Sequence, residues 1–150
     1  RTVKLWASGS VDWISPAEIN QNVEWLDRWK VLIPAATDGN EKHPLPIWDA
    51  RGPFVSSPGE ACTETYLVAF VAQSELEAKH VTLYMRSKFF RFMVSLRKVA
   101  QHNKAENFDF VPDLPVDRVW MDSDLYEYFG LSTEETEFIE ESIRTMEWAS

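Results

Sequence analysis

The sequence predicts a mixed α+β fold: a small sheet packed with a long basic-faced helix, followed by an acidic helical C-terminal tail. Three observations carry this expectation. Two β-branched and aromatic runs, Trp29–Ile33 and Thr63–Ala72, read as strands. The stretch from Ser74 to Gln101 carries apolar residues at helical spacing. Three Ser-x-x-Glu boxes, Ser15/Glu18, Ser74/Glu77 and Ser132/Glu135, mark helix starts. The chain has 150 residues, 45% of them hydrophobic and 13% aromatic, which is enough for a real core and decides against wholesale disorder.

In chain order, Thr2 to Ala7 reads as a strand or extended entry. Ser15-Pro16-Ala17-Glu18 starts a helix that runs to about Trp25, with Pro16 suited to N1. Trp29 to Ile33 reads as a buried strand ended by Pro34. Ala35 to Pro53, with Gly39, Gly52, Pro44, Pro46 and Pro53, reads as a long loop of the kind that often carries function. Phe54-Val55 begins a short strand closed by the Pro58-Gly59 turn, and Thr63 to Ala72 is the clearest strand. Ser74 to Gln101 is one helix or two joined near Arg86-Ser87. Asn103 to Pro115 reads as a loop, and Asp122 to Phe129 as a short helix stopped by Gly130. Ser132 to about Glu147 is the last helix. Residues 1–112 form the mixed domain and 113–150 an acidic helical extension packed on it.

The net charge of −9 is unevenly spread. From Asp113 to Ser150 there are eleven acidic residues and two basic ones, Arg118 and Arg144, so the tail alone accounts for −9. The window from Lys79 to Lys104 holds seven basic side chains and no Asp or Glu. On a helical projection, Arg91, Ser95, Lys98 and His102 fall within about 80° of Lys88. Phe89, Phe92, Met93, Leu96 and Val99 form a core face beside this ridge. Such a ridge suits phosphates, with Gln101, His102 or Asn103 at its end reaching base edges. The alternative is a solvated face that pairs with the chain's own acidic tail.

A catalytic reading finds little. His43, His80 and His102 lack partners at metal-ligand spacing. The single cysteine, Cys62, excludes an internal disulfide framework, and before a strand it reads as packing more than as a nucleophile. Glu60 and Glu64 form a carboxylate pair of low information. The sequence has neither a P-loop nor a G-x-G-x-x-G. No run approaches the roughly 20 apolar residues of a membrane span. The chain opens at Arg1, which leads to the expectation of a piece cut from a longer protein.

An ordered set of segments resembles a known family. They are S-P-A-E-I (Ser15–Ile19), W-K-V-L-I-P-A-A (Trp29–Ala36), P-G-E-A-C-T-E-T-Y (Pro58–Tyr66), T-E-T-Y-L-V (Thr63–Val68), S-K-F-F-R-F-M-V-S-L-R-K-V-A-Q-H (Ser87–His102), F-D-F-V-P (Phe108–Pro112) and the run from Trp120 to Met146. Together they resemble the C-terminal part of bacterial adenine-specific DNA methyltransferases of restriction-modification systems, in particular the fused type II methylase-endonucleases. The resemblance implies a DNA target recognition domain that is itself non-catalytic. Its partners would be double-stranded DNA and an upstream methylase domain of the same polypeptide, in the bacterial cytoplasm, with no membrane. The Asn-Pro-Pro-Tyr/Phe motif and the donor loop would lie upstream. The fragment itself would need no cofactor, S-adenosylmethionine and a candidate Mg belonging to the parent chain. Flipping an adenine requires the duplex to be held in register, which such a domain supplies.

Carried onto this chain, the expected DNA contacts are Arg86, Lys88, Arg91, Arg97, Lys98 and Lys104 on the backbone. Gln101, His102 and Asn103 are expected at base edges or close to the backbone. Lys42, His43 and Arg51 form a second candidate surface. The acidic tail is expected to face away from DNA, toward the methylase or another subunit. The alternative function is a protein-interaction module that docks a methylase or partner subunit. An independent small enzyme using Cys62 or Glu64 is the remaining reading.

Overall fold

The computed structural model describes residues 1–36, 43–49, 51–97 and 105–146. The described elements are β1 (Val3–Ala7), β2 (Ser10–Ile14), β3 (Trp29–Pro34), β4 (Phe54–Ser56), β5 (Glu60–Cys62), β6 (Tyr66–Ala72), α1 (Glu75–Arg86), α2 (Lys88–Ser95), α3 (Asp122–Tyr128) and α4 (Thr133–Ser142). Short 3-10 turns lie at Pro16–Glu18, Val23–Trp25 and Ala105–Phe108. The fold is mixed α+β, with two three-stranded sheets ordered β2-β1-β5 and β4-β3-β6.

β3 is the central strand of the second sheet and is antiparallel to both β4 and β6. Lys30 to Pro34 are all buried, which explains why the strand reads as a continuous apolar run rather than an alternation. The pairing with β6 shifts register between Val31 and Leu32. In the first sheet β1 and β2 form a hairpin from Val3↔Ile14 to Ala7↔Ser10, and β5 joins β1 in parallel. Its turn uses Gly9 at φ +74°, a left-handed conformation that glycine adopts at no steric cost.

The helical stretch breaks where the sequence marks it. Ser87 has extended backbone and ends α1 while capping α2. Its Oγ donates to Tyr84 O (2.6 Å) and accepts from Phe90 N (3.1 Å). Ser74 caps α1 by accepting from Glu77 N (3.1 Å). α1 packs on the second sheet, whereas α3 and α4 pack on α2.

Five elements depart from the sequence reading. The helix expected over Ser15–Trp25 is two 3-10 turns. The Ser15/Glu18 box forms, with Ser15 N donating to Glu18 Oε2 (2.7 Å), but the chain turns extended at Ile19 and left-handed at Asn22. Strands β2 and β5 were not expected. The last helix ends at Ser142, because Ile143 leaves it to bridge Leu45. The long Ala35–Pro53 loop is an anchor as much as a surface. Ile47 and Trp48 are buried in the core, and Trp48 Nε1 donates to Met85 O (2.8 Å). Ile47 holds a left-handed backbone (φ +65°), a strain that a β-branched residue tolerates only where its surroundings fix it.

The core is shared across the expected domain boundary. Val31, Ile33, Trp48, Phe89 and Val94 belong to the same buried cluster as Leu114, Trp120, Leu125, Ile139 and Ile143. The tail is therefore packed on the domain by side chains that complete its core. Backbone bonds seal the junction: Leu45 N donates to Ser142 O (2.7 Å) and Arg144 N to Leu45 O (2.8 Å).

Candidate nucleic-acid interface

The basic window does not form an open ridge among the described residues. Arg91 is buried at 2% exposure. Its Nε donates to Arg86 O (3.0 Å) and Ser87 O (3.2 Å), and its Nη1 to Pro46 O (3.2 Å) and Arg144 O (2.7 Å). Burial pushes its guanidinium down to about 10, with Asp122 opposing, so it stays charged at neutral pH. Arg86 is also buried and donates from Nε to Pro53 O (2.9 Å). It lies under Gly52, where a Cβ would come within 3.1 Å of Nη2 and 2.6 Å of Met146 Cε. Both arginines are structural staples. This corrects the expectation that they contact DNA: a guanidinium spent on backbone carbonyls inside the core cannot reach a phosphate.

Lys88 is not buried in the core but is engaged by the tail. Its Nζ pairs with Glu140 Oε2 (2.8 Å) and donates to Glu140 O (3.2 Å), leaving its side chain 15% exposed. Lys79 pairs with Glu75 one turn earlier (3.1 Å). Arg97 pairs with Asp109 (3.3 Å) but both are half-exposed, and such a pair is weak enough to exchange for another anion. Lys98, Gln101, His102, Asn103 and Lys104 lie outside the described residues, as does Lys42.

In the second candidate surface, His43 is exposed. Arg51 is held by Asp49, through Nη2 (2.6 Å) and Nε (3.0 Å), and its guanidinium lies over the Tyr66 ring at 5.3 Å. The Asp49 hydrogen bond is the main reason its pKa is raised. Arg51 Nη1 also reaches Ser8 Oγ (3.5 Å) in the β1–β2 turn. The loop and the hairpin tip are thus neighbours.

The hairpin is the surface that the sequence reading missed. Ser10, Val11, Asp12 and Trp13 are all exposed, Trp13 at 66%. Trp13 stands opposite Lys4, whose ammonium lies 4.0 Å over the Trp6 ring and 3.8 Å from Glu60. Glu60 is a hub: it also accepts from Trp6 Nε1 (3.1 Å), Ser56 Oγ (3.1 Å) and Ser57 N (2.8 Å). Beyond the hairpin, an open groove of about 1310 Å³ runs between the two sheets. Asn20, Gln21 and Asn22, all exposed, line it together with Thr63 and Glu64. Its floor includes Lys30, whose Nζ is buried and donates to Trp25 O (3.1 Å), Leu26 O (3.3 Å) and Arg28 O (2.8 Å). Burial lowers the Lys30 pKa, with nearby Glu60 opposing. A run of three amides after a Ser-Pro-x-Glu turn was the available signal, and it was absorbed into an expected helix.

The residues of the catalytic alternative have other contacts. Cys62 Sγ lies 3.9 Å from Tyr66 O, and burial pushes the thiol up, which lowers its thiolate fraction. His80 Nδ1 bonds Val116 O (2.9 Å). Among the described residues no group of three or more His, Cys, Asp or Glu side chains could hold a metal ion. Among them, too, no helix is long and apolar enough to cross a membrane. Comparison of the chain with family models, curated proteins and solved structures found no match.

Proposed function

We propose that this chain is the DNA target recognition module of a restriction-modification adenine-N6 methyltransferase, itself non-catalytic, and that it reads the duplex with its β1–β2 hairpin and the Asn20–Asn22 loop. The single observation that supports this choice of surface is the run of three exposed amides lining an open groove beside β2, the exposed edge strand of a three-stranded sheet. Sheet-based readers place strands in a DNA groove, and Asn or Gln pairs bidentately with the N6 and N7 edge of adenine. The identity of the target rests on the ordered segments that resemble the methyltransferase family. S-adenosylmethionine and the methyl transfer belong to the upstream domain in this reading. The chain's own part is to hold register while the adenine leaves the stack. With a net charge of −9, it supplies little non-specific attraction, and the parent supplies the rest of the grip.

The test is selection of duplexes from a randomised library by the purified chain, followed by titration of the enriched sequence. Substituting Asn20→Ala, Gln21→Ala and Asn22→Gly together removes the amides, and glycine suits the left-handed backbone of Asn22. Each lost base contact costs about 1–3 kcal/mol of discrimination. Specific binding should fall toward the non-specific level while Lys88→Ala retains it. An unchanged ratio of specific to non-specific affinity in the triple variant would refute the surface. Failure to enrich any sequence even at low ionic strength, where the weak grip of the isolated chain is strongest, would refute target recognition by this chain.

A further inference from the structure

The tail presents a second surface of opposite character. Phe129 stacks on Phe89 of α2 (5.1 Å, 7° between planes), and Tyr128 meets both Phe129 (5.0 Å) and Trp120 (5.1 Å) edge-on. Phe138 of α4 meets Phe92 of α2 edge-on at 5.8 Å. Phe89 and Phe92 lie one turn apart on α2, so its flank supports both groups. The outer rings remain open to solvent: Tyr128 and Phe138 are each 61% exposed, and Met121 is 44% exposed. Aromatic side chains held from below and bare above are the usual anchors of protein interfaces.

The frame around these rings decides what covers them. Between Asp122 and Ser142 there are eight acidic side chains and no basic one. Glu127, Glu134, Glu137 and Glu141 are exposed, and Glu134 and Glu141 sit at helical neighbour spacing from Phe138. Two nearby cations are already committed: Lys88 to Glu140, and Arg118 to Asp124 (3.8 Å) with its guanidinium 3.9 Å over the Trp120 ring. A nucleic-acid backbone is repelled by such a frame, and a second copy of this chain would set eight carboxylates against eight. We propose that the face formed by Tyr128, Phe129 and Phe138 docks a protein surface whose apolar anchor is framed by lysine and arginine. This face is separate from the hairpin and groove, and the proposal does not depend on the DNA reading.

The experiment titrates the purified chain with a synthetic amphipathic Leu/Lys helix by calorimetry, with a Leu/Glu helix as control. The Leu/Lys helix should bind saturably and more weakly as salt rises, and the Leu/Glu helix should not bind. The variant Tyr128→Ala/Phe138→Ala should lose tenfold or more in affinity while it still unfolds cooperatively above the assay temperature. A second variant, Glu134→Gln/Glu137→Gln/Glu141→Gln, touches no buried side chain and should lose both affinity and salt dependence. Equal binding of the two helices, or wild-type affinity in both variants, would overturn the proposal. So would sedimentation showing a dimer that the aromatic variant dissolves.

Discussion

Arg91 should behave as a buried staple, and replacing it by methionine separates that role from a phosphate contact. Methionine fills comparable space without the charge or the donors. The guanidinium joins three segments: the α1–α2 junction through Arg86 O and Ser87 O, the loop through Pro46 O, and the chain end through Arg144 O. Pro46 O also accepts from Trp48 N (2.8 Å), and Ser87 O from Arg91's own amide (3.2 Å), so these acceptors keep a partner. Arg144 O loses the 2.7 Å charge-assisted bond that ties it down. Bonds from a charged donor contribute about 1.5–3 kcal/mol each, and the desolvation of the guanidinium is recovered on substitution. The net loss should be about 2–4 kcal/mol. For a chain of this length that corresponds to a fall in Tm of about 4–16 °C, read by circular dichroism. Duplex affinity, measured at a temperature where the variant is folded, should be unchanged. A Tm within about 2 °C of wild type together with weakened, less salt-dependent duplex binding would refute the reasoning and return Arg91 to the DNA surface.

The shared core predicts that residues 1–112 do not fold alone. Ending the chain at Pro112 removes Trp120, Leu125, Ile139 and Ile143, each at most 4% exposed, and Ile139→Ala alone should cost about 2–5 kcal/mol in denaturant unfolding. A 1–112 fragment with cooperative unfolding would refute the single core. Asp122 makes a pH prediction. Burial raises its pKa, opposed by the Phe89 and Lys88 amides that cap onto it. The folded state thus holds its proton more tightly than the unfolded one, and this group's contribution to stability falls as pH rises from the ordinary carboxylate value through the raised one. Relative to Asp122→Asn, wild type should therefore gain stability on acidification from neutral pH into the carboxylate range. Parallel Tm-against-pH curves for the two proteins would contradict this.

Local signals in the sequence located most elements. The W-K-V-L-I run became a strand buried on both faces, and the Ser74, Ser87 and Ser132 hydroxyls cap the helices they precede. What stayed hidden depends on contacts distant in sequence. β2 (S-V-D-W-I) alternates only over four residues, and both faces of that run are exposed, so it has no buried face of its own and exists through pairing with β1 across the Gly9 turn. Ser15 has its capping box, but Asn20-Gln21-Asn22 offers no apolar face to hold a further helical turn against the core. The projection of α2 placed Lys88 and Arg91 side by side, yet a projection does not say which flank another element covers. Glu140, Asp122 and Arg144 reach that flank from more than thirty residues away.

The charge pattern therefore carries a different meaning in the fold than along the chain. Seven basic residues in a row of acid-free sequence look like a footprint for phosphate. Folded, Arg86 and Arg91 neutralise carbonyl ends inside the core, Lys88 fastens α4, and Asp122 fastens the start of α2. Among the described residues only Lys88 of the basic window pairs with a carboxylate of the acidic tail, while Arg86 and Arg91 are spent on backbone carbonyls and Lys79 and Arg97 pair with Glu75 and Asp109. Two other surfaces have a different chemistry. One is the β1–β2 hairpin, which carries Lys4 and Asp12, beside a row of amides and a groove also lined by Glu18 and Glu64, the surface proposed to read base edges. The other is an aromatic face framed by carboxylates, suited to a basic protein surface. A module that reads through the first surface gains little non-specific grip from its own charge, so it would depend on a partner to hold the duplex, and the second surface is where a basic partner would bind.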